Sequence, residues 1–574
     1  MNIMSLSMQY STMSTPIEEH DASIFSIPTS PTSSSRSTSP EWPFVAESLK
    51  LAMAVTNVCI VGAGYVGGPT AAILALKNPH IQVNVVDKDT ARIAQWNSKH
   101  LPVYEPGLNE IVCIARDGYQ DGCRSPNLKF STMVESCIND ADIVFIAVNT
   151  PTKVCGIGAG AATNLAAFER AAITIAQNLK PGAIVVEKST VPCGTAQTVQ
   201  EILSMYRPGE SFEVLSNPEF LAEGTAVKDL LDPDRVLIGS SSTKEGQKAA
   251  KMLRSLYESF VPPSKILTVN TWSSELAKLV ANAMLAQRIS SINSISAICE
   301  QTGADIDEIS EAIGRDTRLG PKFLKAGVGF GGSCFKKDIL SLVYLARSLH
   351  LPEVADYWMA VLAINDFQVD RFTGRVVNKL HGALVGKKIT VLGFAFKQDT
   401  NDTRESPAIN VVEALLDERP AEIAIFDPGC TPSEIESAIK SQGSIERTSI
   451  LSPNGPVKPY INAYEACQDS SAILILTPWP QFQYPPASVS EKIVHPIQAN
   501  APSQKRSQNT TCSADCALCA KLTPKQAETA RECLDWSIVC ETMRAPKWVF
   551  DGRNIVHKEA MLKLGFRVEN MGRA

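Results

Sequence analysis

One stretch constrains the fold more than any other: Asn57-Val58-Cys59-Ile60-Val61 runs as an apolar strand into Gly62-Ala63-Gly64-Tyr65-Val66-Gly67 and a second apolar run. A strand, a Gly-x-Gly-x-x-Gly turn and a helix form the opening unit of a doubly wound sheet. The first glycine permits the tight turn, the second lets a pyrophosphate approach the backbone, and the third lets the helix pack closely on the strand. The helix N-terminus after Tyr65 and Val66 then faces the negative charge. Asp87 closes the next apolar run, 83–86, about 20 residues beyond the turn, where a carboxylate accepts hydrogen bonds from ribose hydroxyls and repels a 2′-phosphate. NAD is therefore expected in preference to NADP, although Arg92 is of the type with which NADP sites manage that phosphate.

Apolar runs at 57–61, 83–86, 143–148, 183–186, 212–215 and 236–238 alternate with helical or turn-rich stretches, which predicts a parallel sheet over 55–270. From 271 to 383 the pattern is helical, with a long segment at 273–300 followed by 304–315, 335–350 and 352–381. Strands return at 388–393, 422–426, 471–476 and 547–550, so 384–574 is expected to be a second sheet domain. The expected fold class is α/β: two doubly wound Rossmann-like domains joined by a long central helix and a helical middle domain, with a cleft between them. Residues 484–532, rich in Pro, Ser, Gln and Lys, form an expected insertion. Cys512, Cys516 and Cys519 within it have a spacing that can ligate an iron–sulfur cluster, or zinc with Cys533 or His495. Their surroundings carry little apolar content to build a site, so a surface loop without metal is expected.

Residues 1–52 are dense in Ser, Thr and Pro; they lack the basic and apolar regions of a signal peptide and are expected to be a disordered tail. No apolar run reaches the roughly 18 residues of a membrane span. A net charge of −6 with mixed signs gives no broad surface for nucleic acid. Fifteen cysteines without a short paired framework fit a reducing compartment, and a cytoplasmic protein is expected.

The candidate chemistry centres on Gly329-Phe330-Gly331-Gly332-Ser333-Cys334-Phe335-Lys336-Lys337-Asp338, which delivers one cysteine to a predicted helix start with a carboxylate one turn later. Amides at a helix N-terminus, helped by lysines, lower a thiol pKa and enrich the thiolate that attacks a carbonyl carbon. Glycines let a large polar substrate lie on the backbone. The segments 148–152, with Thr150, and 188–192, with Lys188 and Thr190, follow strand ends, where doubly wound sheets gather ligand contacts. Asn217-Pro218-Glu219-Phe220-Leu221-Ala222-Glu223-Gly224 adds two acids four apart. Either can serve as a general base or hold sugar hydroxyls, or both can simply begin a solvated helix. Lys278 and Asn282 share one face of the predicted central helix, where a cation and an amide can converge on a developing oxyanion; a surface lysine is the plain alternative.

Together these residues resemble the nucleotide-sugar dehydrogenases, and among them the eukaryotic type that oxidises UDP-glucose, from about residue 57 onward apart from the insertion. The resemblance implies that Cys334 is the nucleophile, that Lys278 and Asn282 stabilise oxyanions, and that Asp338 assists proton and water handling. It implies Glu219 as general base and Thr190 as a positioner of water. Lys325, Phe330, Gly331, Phe396, Lys397 and Arg553 are implied to hold UDP-glucose, with Phe220 and Leu221 beside the sugar. Arg318 is implied to reach the site of a neighbouring subunit in a homo-oligomer, a dimer or an assembly of dimers. Lys337, Arg404 and Thr150 are implied NAD contacts, and Glu223 is implied to lie where cofactor and sugar meet. The implied course is oxidation of a primary alcohol, capture of the aldehyde as a thiohemiacetal on Cys334, a second oxidation to a thioester, and hydrolysis to UDP-glucuronate.

Asn164, Lys336, Asn401 and Asn554 depart from the family pattern without removing a catalytic group. The insertion precedes 547–553, which leaves Arg553 the contact most open to disturbance. Two other readings remain: a dehydrogenase for another nucleotide sugar, such as GDP-mannose or UDP-N-acetylmannosamine, and an inactive nucleotide-binding scaffold. Retention of Cys334, Lys278, Asn282 and Asp338 together argues against the scaffold.

Overall fold

A computed structural model describes residues 55–119, 123–441, 450–453, 455–485 and 533–573. The expected tail and Cys512, Cys516 and Cys519 lie outside them. The first sheet holds β1 (Asn57–Val61), β2 (Gln82–Val86), β3 (Leu128–Ser131), β4 (Ile143–Ile146), β5 (Ile184–Glu187), β6 (Glu213–Ser216), β7 (Val236–Ser240) and β8 (Ile266–Asn270). Its order is β3-β2-β1-β4-β5-β6-β7-β8, parallel except where Ser216 meets Gly239 between β6 and β7. The second sheet holds β9 (Lys388–Leu392), β10 (Glu422–Phe426), β11 (Val457–Pro459), β12 (Ala472–Ile475), β13 (Trp548–Asp551) and β14 (Arg567–Asn570), ordered β11-β10-β9-β12-β13-β14. In both, the chain winds outward from a central strand, turns back and winds the other way, which leaves a ligand crevice at the strand ends where the direction reverses.

Burial explains why these strands form. β4, β5 and β12 are buried at every position, as strands covered by helices on both faces must be. β3, β8, β11 and β14 add to the strands expected from sequence, and each lies at a sheet edge.

Between the sheets runs a central helix, Thr271–Thr302, of 32 residues and about 48 Å at 1.5 Å per residue. Asn270 caps it by accepting the Ser273 N–H (2.8 Å), and Gly303 ends it at φ 79°. It packs with the helices Phe335–Ser348 and Pro352–Lys379 around Ala283, Ala286, Ile339, Val343 and Ala355. At its far end Glu300 meets Arg371 and Arg375, while Arg375 also reaches Glu569 of β14 (2.5 Å), so the last strand is tied to both long helices.

Where the central helix leaves the first sheet, Glu187 at the end of β5 is buried against Glu275. The Glu275 oxygens accept the N–H groups of Gly194 (2.6 Å) and Ala196 (2.8 Å) at the start of the helix Thr195–Tyr206. Burial, followed by the Glu275 charge, pushes Glu187 well above the usual carboxylate range, so Glu187 keeps its proton beside Glu275. Folding thus raises this pKa. The contact's stability is complete below the unfolded value and is lost as pH rises through the folded one. Glu187→Gln is neutral at every pH. Its thermal midpoint should fall less between pH 6 and pH 9 than the parent's, by about 2–4 °C for each kcal/mol recovered, in scanning calorimetry at the two pH values.

Candidate active site

The turn after β1 is shaped for close approach. Gly62 has φ 112°, and a β-carbon there would lie 2.5 Å from the Ala147 carbonyl oxygen, whereas one on Gly64 would meet open space. Gly67 leaves no room for a β-carbon against the Gly62 carbonyl. Asp87 Oδ2 accepts the Ala63 N–H (2.9 Å) and Arg92 Nη1 (3.1 Å), so the arginine is paired with the acid at the strand end. Tyr65 carries a buried hydroxyl without a hydrogen-bond partner. It lines a cavity of about 390 Å³ with Tyr104, Glu223, Asp402 and Arg404. Arg404 pairs with Asp402 (2.6 Å) and Glu223 (3.4 Å). Burial, then the Asp402 charge, raises Glu223 to about 8. Thr150 Oγ1 donates to the Thr190 carbonyl (2.7 Å) and joins the loops that follow β4 and β5.

Cys334 occupies the cap position of the helix Phe335–Ser348, exposed, with its Sγ 3.6 Å from the Ser333 hydroxyl. One turn on, the Asp338 N–H donates to the Cys334 carbonyl (2.9 Å), and the Asp338 carboxylate is buried. That carboxylate accepts Asn282 Nδ2 (2.6 Å) and pairs with Lys337 (2.7 Å). Lys278 and Asn282 are both 8% exposed, so the surface alternative for Lys278 does not apply. Burial lowers the Lys278 pKa, opposed by Asp338, the Cys334 thiol and Glu219, which all face it. Its ammonium also lies 5.3 Å from the centre of the Phe220 ring, which the Arg235 guanidinium approaches at 3.8 Å.

Glu219 does not begin a solvated helix either. Its Oε2 pairs with the buried Lys188 ammonium (2.9 Å), and Oε1 accepts the N–H groups of Phe220 (2.8 Å) and Leu221 (3.2 Å). Burial would raise its pKa, but Lys188 and the amides prevail and hold the carboxyl below its usual range.

The glycine loop before Cys334 lies against the second sheet domain. Gly332 N–H donates to the Arg404 carbonyl (3.0 Å), and a β-carbon on Gly332 would fall 2.8 Å from the Phe396 ring. A β-carbon on Gly331 would run into the Glu405 carbonyl. Arg553 joins the second sheet domain to the glycine loop: Nε donates to the Leu476 carbonyl (2.6 Å) and Nη1 to the Gly329 carbonyl (3.2 Å). Burial lowers its pKa to about 10, against the pull of Asp551. Phe330 is buried, edge-on to Phe335 at 5.6 Å, and the Lys397 ammonium sits 5.5 Å from the Phe396 ring. Arg318 and Lys325 are exposed, and Arg318 pairs with Asp316 (2.6 Å).

Two residues that hold the site carry no recognisable sequence signal. Asn365 accepts the Phe330 N–H (2.8 Å) and returns Nδ2 to the Phe330 carbonyl (3.2 Å). Glu105 accepts the N–H groups of Gly224 and Ala226 (3.0 Å), and burial raises it to about 7. The contact with Gly224 spans 119 positions of chain, so no local pattern marks it.

The same three-part organisation recurs in known proteins. Residues 56–261 match the NAD binding domain of the UDP-glucose/GDP-mannose dehydrogenase family, 272–367 its central domain and 390–501 its UDP binding domain. UDP-glucose 6-dehydrogenase 1 of Glycine max is 46% identical over 525 residues, which span 90% of this chain and 97% of that protein. UDP-glucose 6-dehydrogenase 3 of Oryza sativa subsp. japonica is 46% identical over 526 residues, with the same coverage. A solved UDP-glucose dehydrogenase from Pyrobaculum islandicum is 30% identical at a TM-score of 0.64, over 74% of this chain and 91% of that one. A UDP-D-ManNAc dehydrogenase from Pyrococcus horikoshii, 23% identical, shares the fold at a TM-score of 0.66 over 90% and 99% of the two chains. With all three domains matched in order on the two-sheet frame, this chain belongs to the UDP-glucose/GDP-mannose dehydrogenase family.

Proposed function

We propose that the chain is an NAD-dependent oxidoreductase that converts the primary alcohol of UDP-glucose to the acid of UDP-glucuronate, with Cys334 as nucleophile. The observation that carries this reading is the convergence of Cys334, Asp338 and Glu219 on Lys278, with Asn282 bonded to Asp338 and Arg404 facing both the thiol and Glu223. The open space at Gly64, the Asp87 carboxylate and the unpartnered Tyr65 hydroxyl suit a dinucleotide. Bound NAD supplies the acceptor for the hydride that leaves the sugar carbon in each oxidation.

Gly62, Gly64, Tyr65, Val66 and Gly67 would hold the pyrophosphate, Asp87 the ribose, and Arg92, Thr150, Lys337 and Arg404 the rest of the cofactor. Lys325, Phe330, Gly331, Phe396, Lys397 and Arg553 would hold the UDP portion, and Phe220, Leu221 and Glu223 the sugar. The Cys334 thiolate adds to the aldehyde carbon. A C–S bond forms, and the carbonyl electron pair moves to oxygen, where Lys278 and Asn282 meet it. The second oxidation leaves a thioester. Water, held by Thr190 and deprotonated by Glu219, adds to that carbon; the C–S bond then breaks and the thiolate returns, while Asp338 exchanges protons with Lys278 and accepts the hydrogen bond that orients Asn282.

The relatives of 46% identity favour UDP-glucose over GDP-mannose or UDP-N-acetylmannosamine. A homo-oligomer built from dimers is supported by apolar residues exposed on the helical part: Met284 at 52%, Ile298 at 56%, Leu319 at 50% and Phe323 at 40%. Arg318 would then reach the neighbouring site. A cytoplasmic location is supported by the cysteine usage, fifteen residues without a short paired framework. Among the described residues no helix is long and apolar enough to cross a membrane.

Cys334→Ser should slow turnover by about a thousandfold or more while NAD affinity and thermal midpoint stay unchanged. Full activity in steady-state assays would refute the covalent scheme. With limiting UDP-glucose, complete reaction should yield about two NADH per sugar, one for each hydride removed. A yield of one, read by absorbance, would mean that oxidation stops at the aldehyde.

A further inference from the structure

Lys188 has no part in the chemistry above, yet it is the most completely enclosed cation beside the site, with a side chain 4% exposed. Its ammonium has three partners at the base of the crevice. It pairs with Glu219 Oε2 (2.9 Å), donates to Asn217 Oδ1 (3.1 Å), and lies 3.4 Å from the Tyr257 hydroxyl. The partners are themselves fixed: Tyr257 Oη donates to Asn217 Oδ1 (2.6 Å), and Asn217 Nδ2 donates to the Leu237 carbonyl (2.8 Å). A lysine is seldom buried so fully unless its charge is matched.

We infer that Lys188 is a positioning residue for the reaction: held by Asn217 and Tyr257, it clamps one oxygen of Glu219 and keeps that carboxylate ionised and oriented to take a proton from water. The inference rests on the reading of Glu219 as general base.

The arrangement meets the demands of that task. Lys188 and the Phe220 and Leu221 amides grip Glu219 from two sides, which fixes its plane. The charged groups facing Glu219 are Lys188, from the loop after β5, and Lys278, from the central helix. Those facing Lys188 are Glu219 and the Tyr257 phenol. Burial pulls the ammonium down, but Glu219 and then Tyr257 outweigh it, so Lys188 keeps its proton through the neutral range. With the cation removed, burial would dominate at Glu219 and raise its pKa. The base would then be protonated at pH values where the parent is active.

The test is the pH profile of kcat for Lys188→Gln, which retains hydrogen bonding without charge, and Lys188→Met, which fills similar volume without polar atoms. Circular dichroism and NAD affinity report folding, and two variants guard against failure of one. In whichever variant folds, the acid limb should move up by about one pH unit or more, a roughly tenfold loss in the ratio of activity at pH 6 to that at pH 9. Lys188→Arg, which restores the charge, should return the limb toward the parent's. A folded neutral variant whose rate falls equally at every pH, or does not fall, overturns the inference. Glu219→Gln separates the two claims. An inactive E219Q beside an unshifted neutral variant sinks the role of Lys188 alone, whereas full activity in E219Q removes the general base and the inference with it.

Discussion

The structure depends on a strip of backbone in which four of six residues are glycine. From Gly327 to Gly332 the chain threads between the helix Pro352–Lys379 on one side and the second sheet domain on the other. A β-carbon would fall 2.9 Å from Arg553 Nη1 at Gly327, 2.8 Å from Asn365 Oδ1 at Gly329 and 2.8 Å from the Phe396 ring at Gly332. Gly329 and Gly332 also take φ values of 114° and 87°, which side-chain-bearing residues resist. Only such a strip lets the helical part and the second sheet domain close on the same few ångströms and still present Cys334 at a helix start. Added side chains would separate Arg553 and Phe396 from the thiol before they altered any chemistry.

Around that strip the carboxyl groups differ in charge state because their neighbours differ. Glu219 and Glu223 lie four residues apart in one loop, but Lys188 and two amides hold the first low, while burial and Asp402 carry the second to about 8. The first therefore stays ionised through the neutral range while the second takes up a proton far more readily, which is how adjacent acids come to do different work. Glu105 stands behind both and fixes the loop through Gly224 and Ala226. Among the buried charges here, Lys188 and Glu219 pair with each other and Asp338 pairs with Lys337, which offsets the cost of desolvation.

What could be read from the sequence followed the pattern of burial. The inner strands β1, β4, β5, β9 and β12 are nearly continuous apolar runs because helices cover both faces, so they stand out. β8 is exposed at three of its five positions and β3 at one of four, which breaks the run and hides both edges. The helical middle was legible from its period. The fate of Lys278 was not, because Leu276 and Leu279 beside it suit either a surface stripe or a core, and only the packing of three helices decides. Asn365 and Glu105 each act through two hydrogen bonds to distant backbone, and no periodicity records such contacts.

The Lys188–Glu219 pair lies between these cases. The residues are 31 positions apart in sequence, but β5 and β6 are parallel neighbours, with Glu187 opposite Ser216. The register therefore sets Lys188 beside Asn217 as the two strands end, and a two-residue step through Pro218 brings Glu219 back onto the ammonium. Parallel sheets make this kind of meeting systematic, because residues just past adjacent strands emerge side by side whatever the length of the connecting helix. The partners of a strand-end residue can then be sought on the neighbouring strand once the order is known, and the Gly-x-Gly-x-x-Gly turn already implies that order. The motif constrains more than the cofactor: through the winding of the sheet, it also constrains which charges can meet at the strand ends.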